Sequence, residues 1–156
     1  MPGWSEVESE VPELAAFARG FFDAHVHKTL ATLRRDGSPR ISGTEANFAP
    51  EGLWFGSMWQ ATKALDLQRD PRFALHSGSV DPPEWTGDAK VGGRAEEITD
   101  PDLKAAITGS SVPPGPFHLF RCDVTELVVV SLADSKDHII VEAWHAGRGY
   151  TRRERR

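Results

Sequence analysis

Short apolar segments separated by tight turns constrain the fold of this chain more than any other feature of its sequence. The pair Asp36-Gly37 lies between two strand-like segments, residues 27–34 and 40–48. Asp-Gly between two such segments is a strong local signal for a β-hairpin. The sequence therefore predicts antiparallel strands joined by tight turns.

The same alternation of strands and turns continues towards the C-terminus. A third strand is expected at residues 53–58, after a turn formed by Pro50 and the pair Glu51-Gly52. Within the fifth strand, Gly92-Gly93 indicates a bulge or a close approach of another backbone. Loops are expected at residues 81–83 and 110–116, and the remaining strands at residues 73–78, 89–98, 119–132 and 138–145.

Three helices are expected before or between these strands. We expect Ser9 to be the N-cap of the first helix and Pro12 to lie in its first turn. Its apolar stripe predicts that it covers the open end of a barrel; binding of a partner is the alternative. Short helices are predicted at residues 62–69 and 100–107, the second capped by Asp100. The stripe comprises Val11, Leu14, Ala15, Ala18, Phe21 and Phe22.

Together these elements predict a mainly β fold, a barrel of six or seven antiparallel strands with α additions. The chain has 156 residues, which is enough for one domain with a core and too few for two. We therefore expect a single domain over residues 1–156, with flexible ends at residues 1–10 and 149–156.

The composition argues against several classes of partner. The formal net charge of -5 at pH 7 predicts no nucleic-acid partner, and the one basic cluster is an Arg-rich C-terminal end that we expect to be solvated. No segment approaches the roughly 20 apolar residues that a membrane span needs, and the acidic N-terminus lacks the layout of a signal peptide. The single cysteine, Cys122, is expected to be a buried, inert thiol. A cytoplasmic protein with no membrane partner is therefore expected.

The sequence contains no common catalytic or metal-binding motif. A G-x-S-x-G elbow, a P-loop and a G-x-G-x-x-G fingerprint are all missing. The six histidines are dispersed, and His25 and His27 have no Cys or carboxylate partner at metal-site spacing. We predict no metal site and assign no catalytic residue.

The most informative segment for binding runs from Ser57 to Lys63, where a strand ends and a helix begins. The first amides of a helix lack intrahelical partners and lie at the positive end of its dipole, so they favour an anion. Thr62 adds a hydroxyl and Lys63 a positive charge, and together they can hold a phosphate. Alternatively, Thr62 only caps the helix and Lys63 is a solvated first-turn residue.

Tryptophan is unusually frequent, with five residues in 156. Trp54, Trp59, Trp85 and Trp144 can form the walls of a site for a planar ring. The alternative is packing in the core or at an interface, because tryptophan buries a large area.

Four segments stand in the order LATLRRDGSPRISG, GLWFGSMWQATKALDLQRDPRFAL, GDAKVGGRAEEITDPD and HIIVEAWHAGRG. Their order and spacing, over about residues 27–149, resemble the pyridoxamine 5'-phosphate oxidase-like, FMN-binding split-barrel superfamily. The resemblance implies a six-stranded antiparallel split β-barrel that forms a homodimer. It also implies two cofactors, bound in grooves between the subunits.

The resemblance implies a phosphate site at the start of the first short helix. Lys63 stands where the family usually has a lysine that meets the cofactor phosphate, and Ser57 stands where a hydroxyl residue helps to hold it. The turn and helix start that lead into this site contain Trp59, Gln60, Ala61 and Thr62.

Two further segments are implied in cofactor binding. Thr44, Glu45 and Ala46 match the strand whose backbone runs alongside the flavin ring. Trp144 and Arg148 fall in the C-terminal segment that often reaches the site of the other subunit. No reason for a charged residue at Glu45 is evident from the sequence.

Departures from the family pattern argue against oxidation of pyridoxamine phosphate. Ser42 and Asn47 stand where the vitamin B6 oxidases carry an Arg and a Lys, and Asp88 stands where they carry a flavin-contacting Gln. The composition resembles a set of family members among which several groups use the deazaflavin F420. Basic residues would favour its anionic tail. Candidates for such contacts, or else exposed strand positions, are Lys28, Arg40, Lys90 and Arg94.

The sequence thus predicts an oxidoreductase that uses FMN, or alternatively F420, to move a hydride to or from a small organic substrate. A first alternative is a non-catalytic carrier of FMN, F420 or haem, or a redox-sensing protein. A second alternative is a structural or interaction protein with an empty groove.

Overall fold

The computed structural model describes residues 3–50, 52–109 and 115–156. Four helices and eight strands are found in these residues. The helices are α1 (Trp4–Glu10), α2 (Pro12–Asp23), α3 (Thr62–Arg69) and α4 (Pro101–Thr108). The strands are β1 (His27–Leu33), β2 (Pro39–Ala49), β3 (Gly52–Met58), β4 (Arg72–His76), β5 (Gly87–Glu97), β6 (Phe117–Leu132), β7 (Ile139–His145) and β8 (Gly149–Arg155).

Six of the strands close into an antiparallel barrel in the order β3-β2-β1-β4-β5-β6, and pairing of β3 with β6 closes the ring. Strand β6 is 16 residues long, so its second half also pairs with β7, and β7 pairs with β8 outside the barrel. The predicted mainly β barrel with α additions is therefore confirmed.

Local sequence signals agree with the observed turns and bulge. Gly37 has a φ of 87° in the turn between β1 and β2. The ladder between β5 and β6 changes register between Gly92 and Gly93. A Cβ at Gly93 would overlap the carbonyl oxygen of Asp123, so the close backbone approach at this bulge requires glycine.

The core lies inside the barrel and beneath α1 and α2. Inward-facing side chains such as Leu30 and Phe55 are fully buried. Helix α2 lies on β5 and β6 and buries part of the predicted apolar stripe, namely Leu14, Ala15, Ala18 and Phe22. Cys122 is also buried, and burial raises the pKa of its thiol, which disfavours the reactive thiolate.

Regular structure occupies Trp4–Glu10 and Gly149–Arg155, which lie within the segments that we expected to be flexible. Helix α1 is held by Trp4 and Val7, which are buried in the core, and three of the terminal arginines, Arg152, Arg153 and Arg155, belong to β8. Ser9 lies inside α1, so the prediction that it caps a helix was wrong; Val11 occupies the N-cap of α2 without a side-chain bond. Strand β8 pairs through its backbone and therefore needs no apolar side chains.

The turn predicted at Glu51 and the loop predicted at residues 110–116 lie wholly or partly outside the described residues. In the described part of the chain, no helix has the length and apolar character required to cross a membrane.

Candidate functional site

A cleft of about 1170 Å³ lies against the outer face of β2 and β3. The start of α3, the end of α4 and the start of β6 also contribute lining residues, namely Lys63, Ile107, Thr108 and Phe117. Five of the residues predicted to bind a cofactor line this cleft: Thr44, Glu45, Ser57, Trp59 and Lys63. Gln60, Ala61 and Thr62 lead from Trp59 into α3 beside it.

The alternation of β2 explains why Glu45 stands in this strand. Thr44 and Ala46 are buried, whereas Glu45 faces outwards and its side chain is 64% exposed. One oxygen of Glu45 lies 3.8 Å from His27 Nε2 on the neighbouring strand. A charged side chain is tolerated there because it lies on the wall of an open cleft. Ala46 is not among the side chains that line the cleft.

The first turn of α3 has free hydrogen-bond donors. Ala61 occupies the N-cap with an extended backbone, φ -59° and ψ 144°, and makes no side-chain bond. The amides of Thr62 and Lys63 have no acceptor among the described residues. Thr62 is the first residue of the helix and does not cap it, contrary to one of our alternatives. Free amides at the positive end of a helix favour an anion.

Lys63 brings a positive charge to the same place. Its Nζ donates to the carbonyl oxygen of Gly43 on β2 at 2.9 Å. Burial lowers the pKa of Lys63, and none of the ion pairs between described residues includes it. An ammonium that loses solvation without gaining a counter-charge is a site for an anionic ligand.

The turn before α3 is held by a histidine that sequence analysis did not select. Gln60 has a φ of 61°, and its amide donates to Nε2 of His118 at 3.1 Å. The rings of Trp59 and His118 are stacked, with centroids 4.6 Å apart. His118 and Phe120 lie two residues apart on the same face of β6, and this spacing was the available signal.

Asp66 fixes α3 to the barrel. It accepts hydrogen bonds from Thr32 at 2.8 Å, from Arg40 at 2.7 Å and from Arg69 at 3.1 Å, although it is only 2% exposed. Burial raises the pKa of Asp66, but these hydrogen bonds outweigh burial and hold it below its usual value. This ionised carboxylate links α3 to β1 and β2, and so fixes the place of Lys63.

Several predicted ligand residues lie away from the cleft of this chain. Trp144 is buried, and its Nε1 donates to Glu10 of α1 at 2.8 Å. Arg148 is exposed in the turn between β7 and β8. None of the four basic candidates for F420 lines the cleft: Arg40 is paired with Asp66, Lys28 is buried with its Nζ bonded to a carbonyl oxygen, and Lys90 and Arg94 are exposed on β5.

The cleft combines an anion-binding end with apolar walls. The walls include Trp54, Met58, Trp59, Ile107 and Phe117. Amides without an acceptor and an ammonium without a counter-charge among the described residues, together with flat apolar surfaces, fit a ligand that joins a phosphate to a planar ring through a linker, as FMN does. Among the described residues, no group of three or more His, Cys, Asp or Glu side chains is placed to hold a metal ion.

Comparison with solved structures finds the same fold in distant proteins. PhzG from Burkholderia lata, solved in complex with tetrahydrophenazine-1-carboxylic acid, is 13% identical, with a TM-score of 0.67 over 100% of this chain and 96% of that one. A pyridoxamine 5'-phosphate oxidase-related, FMN-binding protein from Nostoc punctiforme is 16% identical, with a TM-score of 0.61 over 95% of both chains. General stress protein 26 from Bacillus anthracis is 18% identical, with a TM-score of 0.59 over 72% of this chain and 89% of that one.

A comparison with curated proteins gives no significant match. In contrast, the sequence pattern of the pyridoxamine 5'-phosphate oxidase family matches residues 14–131, which include β1 to β5, the whole of α3 and all but the last residue of β6. Since that match covers most of the chain and the barrel closes as the family requires, this chain belongs to the pyridoxamine 5'-phosphate oxidase-like family of FMN-binding split-barrel proteins.

Proposed function

We propose that this protein binds FMN in the cleft and uses it as an oxidoreductase, moving a hydride to or from a small organic substrate. F420 is the alternative cofactor. The observation that carries the proposal is the Lys63 ammonium, which has no carboxylate partner among the described residues, together with the first amides of α3, which have no acceptor there, at a cleft in an FMN-binding family fold. These groups need an anion to complete them, and a cofactor phosphate is such an anion.

The residues of the chain bind and orient the cofactor, which itself supplies a ring that accepts and returns a hydride. Lys63 and the amides of Thr62 and Lys63 would hold the phosphate. Ser57, whose hydroxyl currently donates only to Met58 O at 3.3 Å, can turn towards the same anion. The backbone of β2 at Glu45 and the ring of Trp59 would border the planar ring. No side chain is assigned as acid or base.

The substrate is proposed to differ from pyridoxamine 5'-phosphate. Asn47 lines the cleft and is neutral, whereas the vitamin B6 oxidases carry a cation there. Ser42 replaces their second cation. Without these charges, a substrate phosphate would lose its ionic partners, so we expect a smaller or less anionic substrate.

A titration of the purified protein with FMN and, separately, with F420 tests the proposal. Binding is followed by quenching of cofactor fluorescence, and dissociation constants in the micromolar range or below are expected for one of the two. If neither binds in that range, the proposed function is wrong. The cofactor with the lower constant is then the physiological candidate.

Bound cofactor that cannot be cycled would favour the second function, a carrier or a redox-sensing protein. The observation that favours it is the absence of the two substrate-binding cations at Ser42 and Asn47. Anaerobic reduction by NADPH or by reduced F420, followed by reoxidation with candidate substrates, separates the two functions. Turnover supports the enzyme, and reduction without turnover of any substrate supports the carrier. A titration with haem tests whether the protein is a haem carrier.

We also propose that the protein is a homodimer with a cofactor at each subunit interface. Support comes from the open side of the cleft, where Met58 is 82% exposed and Trp59 is 53% exposed. Large apolar side chains at that exposure are typical of interfaces. Light scattering after size-exclusion chromatography is expected to give twice the mass of the chain, and a monomer at micromolar concentration would contradict this. The cytoplasmic location stays a prediction.

A further inference from the structure

We propose that His118 is a positioning residue for the anion site: it holds the turn at Trp59 and Gln60 in the one conformation that presents the first amides of α3 to a phosphate. This inference rests on the proposed function, because the phosphate is that of the proposed cofactor. His118 itself does not line the cleft and is only 1% exposed.

The hydrogen bonds of His118 define its tautomer. Nε2 faces the amide N–H of Gln60 at 3.1 Å, so this nitrogen must be an acceptor and carries no proton. The proton is therefore on Nδ1, which lies 2.7 Å from the carboxylate oxygen Oε2 of Glu97. The ring acts as a bridge: it accepts from the turn on one side and donates to strand β5 on the other.

The turn needs such a partner because its backbone is unfavourable by itself. Gln60 has a φ of 61°, in the left-handed region that disfavours residues with a Cβ. Residues in sparsely populated regions persist when their surroundings over-determine them. Here the surroundings are the bond from Gln60 to His118, the stack of Trp59 on the imidazole and the bond from Ala61 N to Met58 O at 3.1 Å.

Glu97 ties the histidine back to the same helix. Its second oxygen, Oε1, accepts from Nε2 of Gln68 near the end of α3 at 2.7 Å. Burial raises the pKa of Glu97, but the bonds from His118 and Gln68 outweigh burial and hold the pKa below its usual value, so Glu97 is an ionised acceptor. A chain of hydrogen bonds thus runs from Gln60 through His118 and Glu97 to Gln68. The Glu97 carboxylate therefore connects the turn before α3 with the C-terminal part of the same helix.

The alternative is that His118 is only a buried core residue whose ring fills space. Two variants separate these roles because each keeps one of its two hydrogen bonds. His118→Gln places an acceptor near the position of Nε2 and gives up the donor to Glu97. His118→Asn keeps a donor near the position of Nδ1 and leaves the Gln60 amide without an acceptor. Both lose the stacked ring, and they differ from each other by one methylene group.

The experiment measures dissociation constants of FMN and of inorganic phosphate for the wild type, His118→Gln and His118→Asn, with unfolding midpoints as the control for folding. We expect His118→Asn to bind both probes roughly tenfold more weakly, since the Gln60 amide loses its acceptor and the turn relaxes. His118→Gln is expected to stay within about threefold of the wild type. Equal affinities of His118→Asn and the wild type, or equal losses in both variants, would overturn the positioning role.

A second measurement uses only the wild-type protein, and so remains decisive if the variants do not fold. We expect a through-hydrogen-bond ¹⁵N–¹⁵N coupling between the Gln60 amide and Nε2 of His118, with slow exchange of that amide. A protonated Nε2, or a fast-exchanging Gln60 amide, would overturn the inference. If the wild type binds phosphate but neither FMN nor F420, the proposed function fails and the phosphate constants still decide the positioning role; if it binds no phosphate either, the role is overturned too.

Discussion

The polar groups of helix α3 differ in their hydrogen bonding between the middle of the helix and its first turn. In the middle, the buried carboxylate of Asp66 is surrounded by three donors and is fully paired. One turn earlier, the amides of Thr62 and Lys63 and the Lys63 ammonium have no anionic partner among the described residues. The two sets of charges lie within five residues of each other on one helix.

This difference separates the part of the site that holds the structure from the part that binds. A buried polar group that is completely satisfied stabilises a single arrangement, whereas one left unsatisfied destabilises the free protein and is stabilised by a ligand. Asp66 fixes the position of α3 on the barrel. The amides of its first turn are proposed to bind the anion at that position. The predictions below alter one region at a time, so each can show whether the two regions are in fact separate.

The largest effect is expected from Asp66→Asn. Removing the charge leaves Arg40 and Arg69 without their shared partner, and we expect the free energy of unfolding to fall by about 3 kcal/mol, at the low end of the range for broken buried pairs because both arginines are partly exposed. Urea denaturation measures this change. The matched control is Asp70→Asn, whose pair with Arg72 is exposed and should contribute little. Equal losses in both variants would contradict a structural role for Asp66.

The carboxylate of Asp66 should account for part of the loss of stability at acidic pH. Because hydrogen bonds hold the folded-state pKa of Asp66 below its usual value of 3.8, its contribution is present above about pH 4 and is lost as the pH falls through the folded-state pKa. Unfolding free energies measured between pH 6 and pH 2 should therefore fall less steeply in Asp66→Asn than in the wild type. An identical slope in both proteins would place the acid sensitivity elsewhere.

Lys63→Ala should weaken FMN binding without lowering stability. The loss of a charge-assisted bond to phosphate weakens FMN binding by about 1.5–3 kcal/mol, which is roughly tenfold to over a hundredfold. Stability should be unchanged or slightly higher, because burial disfavours this ammonium in the free protein. Lys90→Ala, which removes an exposed lysine outside the cleft, is the control for net charge. An unchanged FMN affinity in Lys63→Ala would remove this residue from the site.

Ala61→Ser should raise stability and lower affinity for FMN, and its effects should be the smallest of those predicted here. A serine at the N-cap can bond to the free amides of α3 and stabilise the helix by about 1 kcal/mol. The same bond competes with an anion for those amides, so affinity for FMN should fall by a few fold. Thermal unfolding and cofactor titration on the same sample measure both. A gain in stability with undiminished affinity would show that the phosphate does not use these amides.

Much of the fold followed from local patterns. The Asp36-Gly37 hairpin, the Gly92-Gly93 bulge and the bounds of α3 depend on residues close in sequence, where turn geometry and period-two alternation dominate. The Asp100 cap also follows from local spacing, since its carboxylate accepts from the amides of Asp102 and Leu103. In contrast, α1 and β8 were missed because Trp4 acquires its core contacts, and β8 its backbone partners, only when the chain is folded.

In the proposed anion site, too, some features follow from local sequence and others from contacts between distant segments. The sequence by itself determined that a helix begins at Thr62 with a lysine in its first turn, because strand end, turn and helix start are local events. Only the tertiary structure decided that Lys63 has no counter-charge among the residues described. It also decided that Asp66 accepts bonds from residues 26 and 34 positions away, and that Gln60 bonds to a histidine 58 positions away. The physical reason is that burial and pairing are properties of contacts between distant segments, which the barrel creates when β3 and β6 close it.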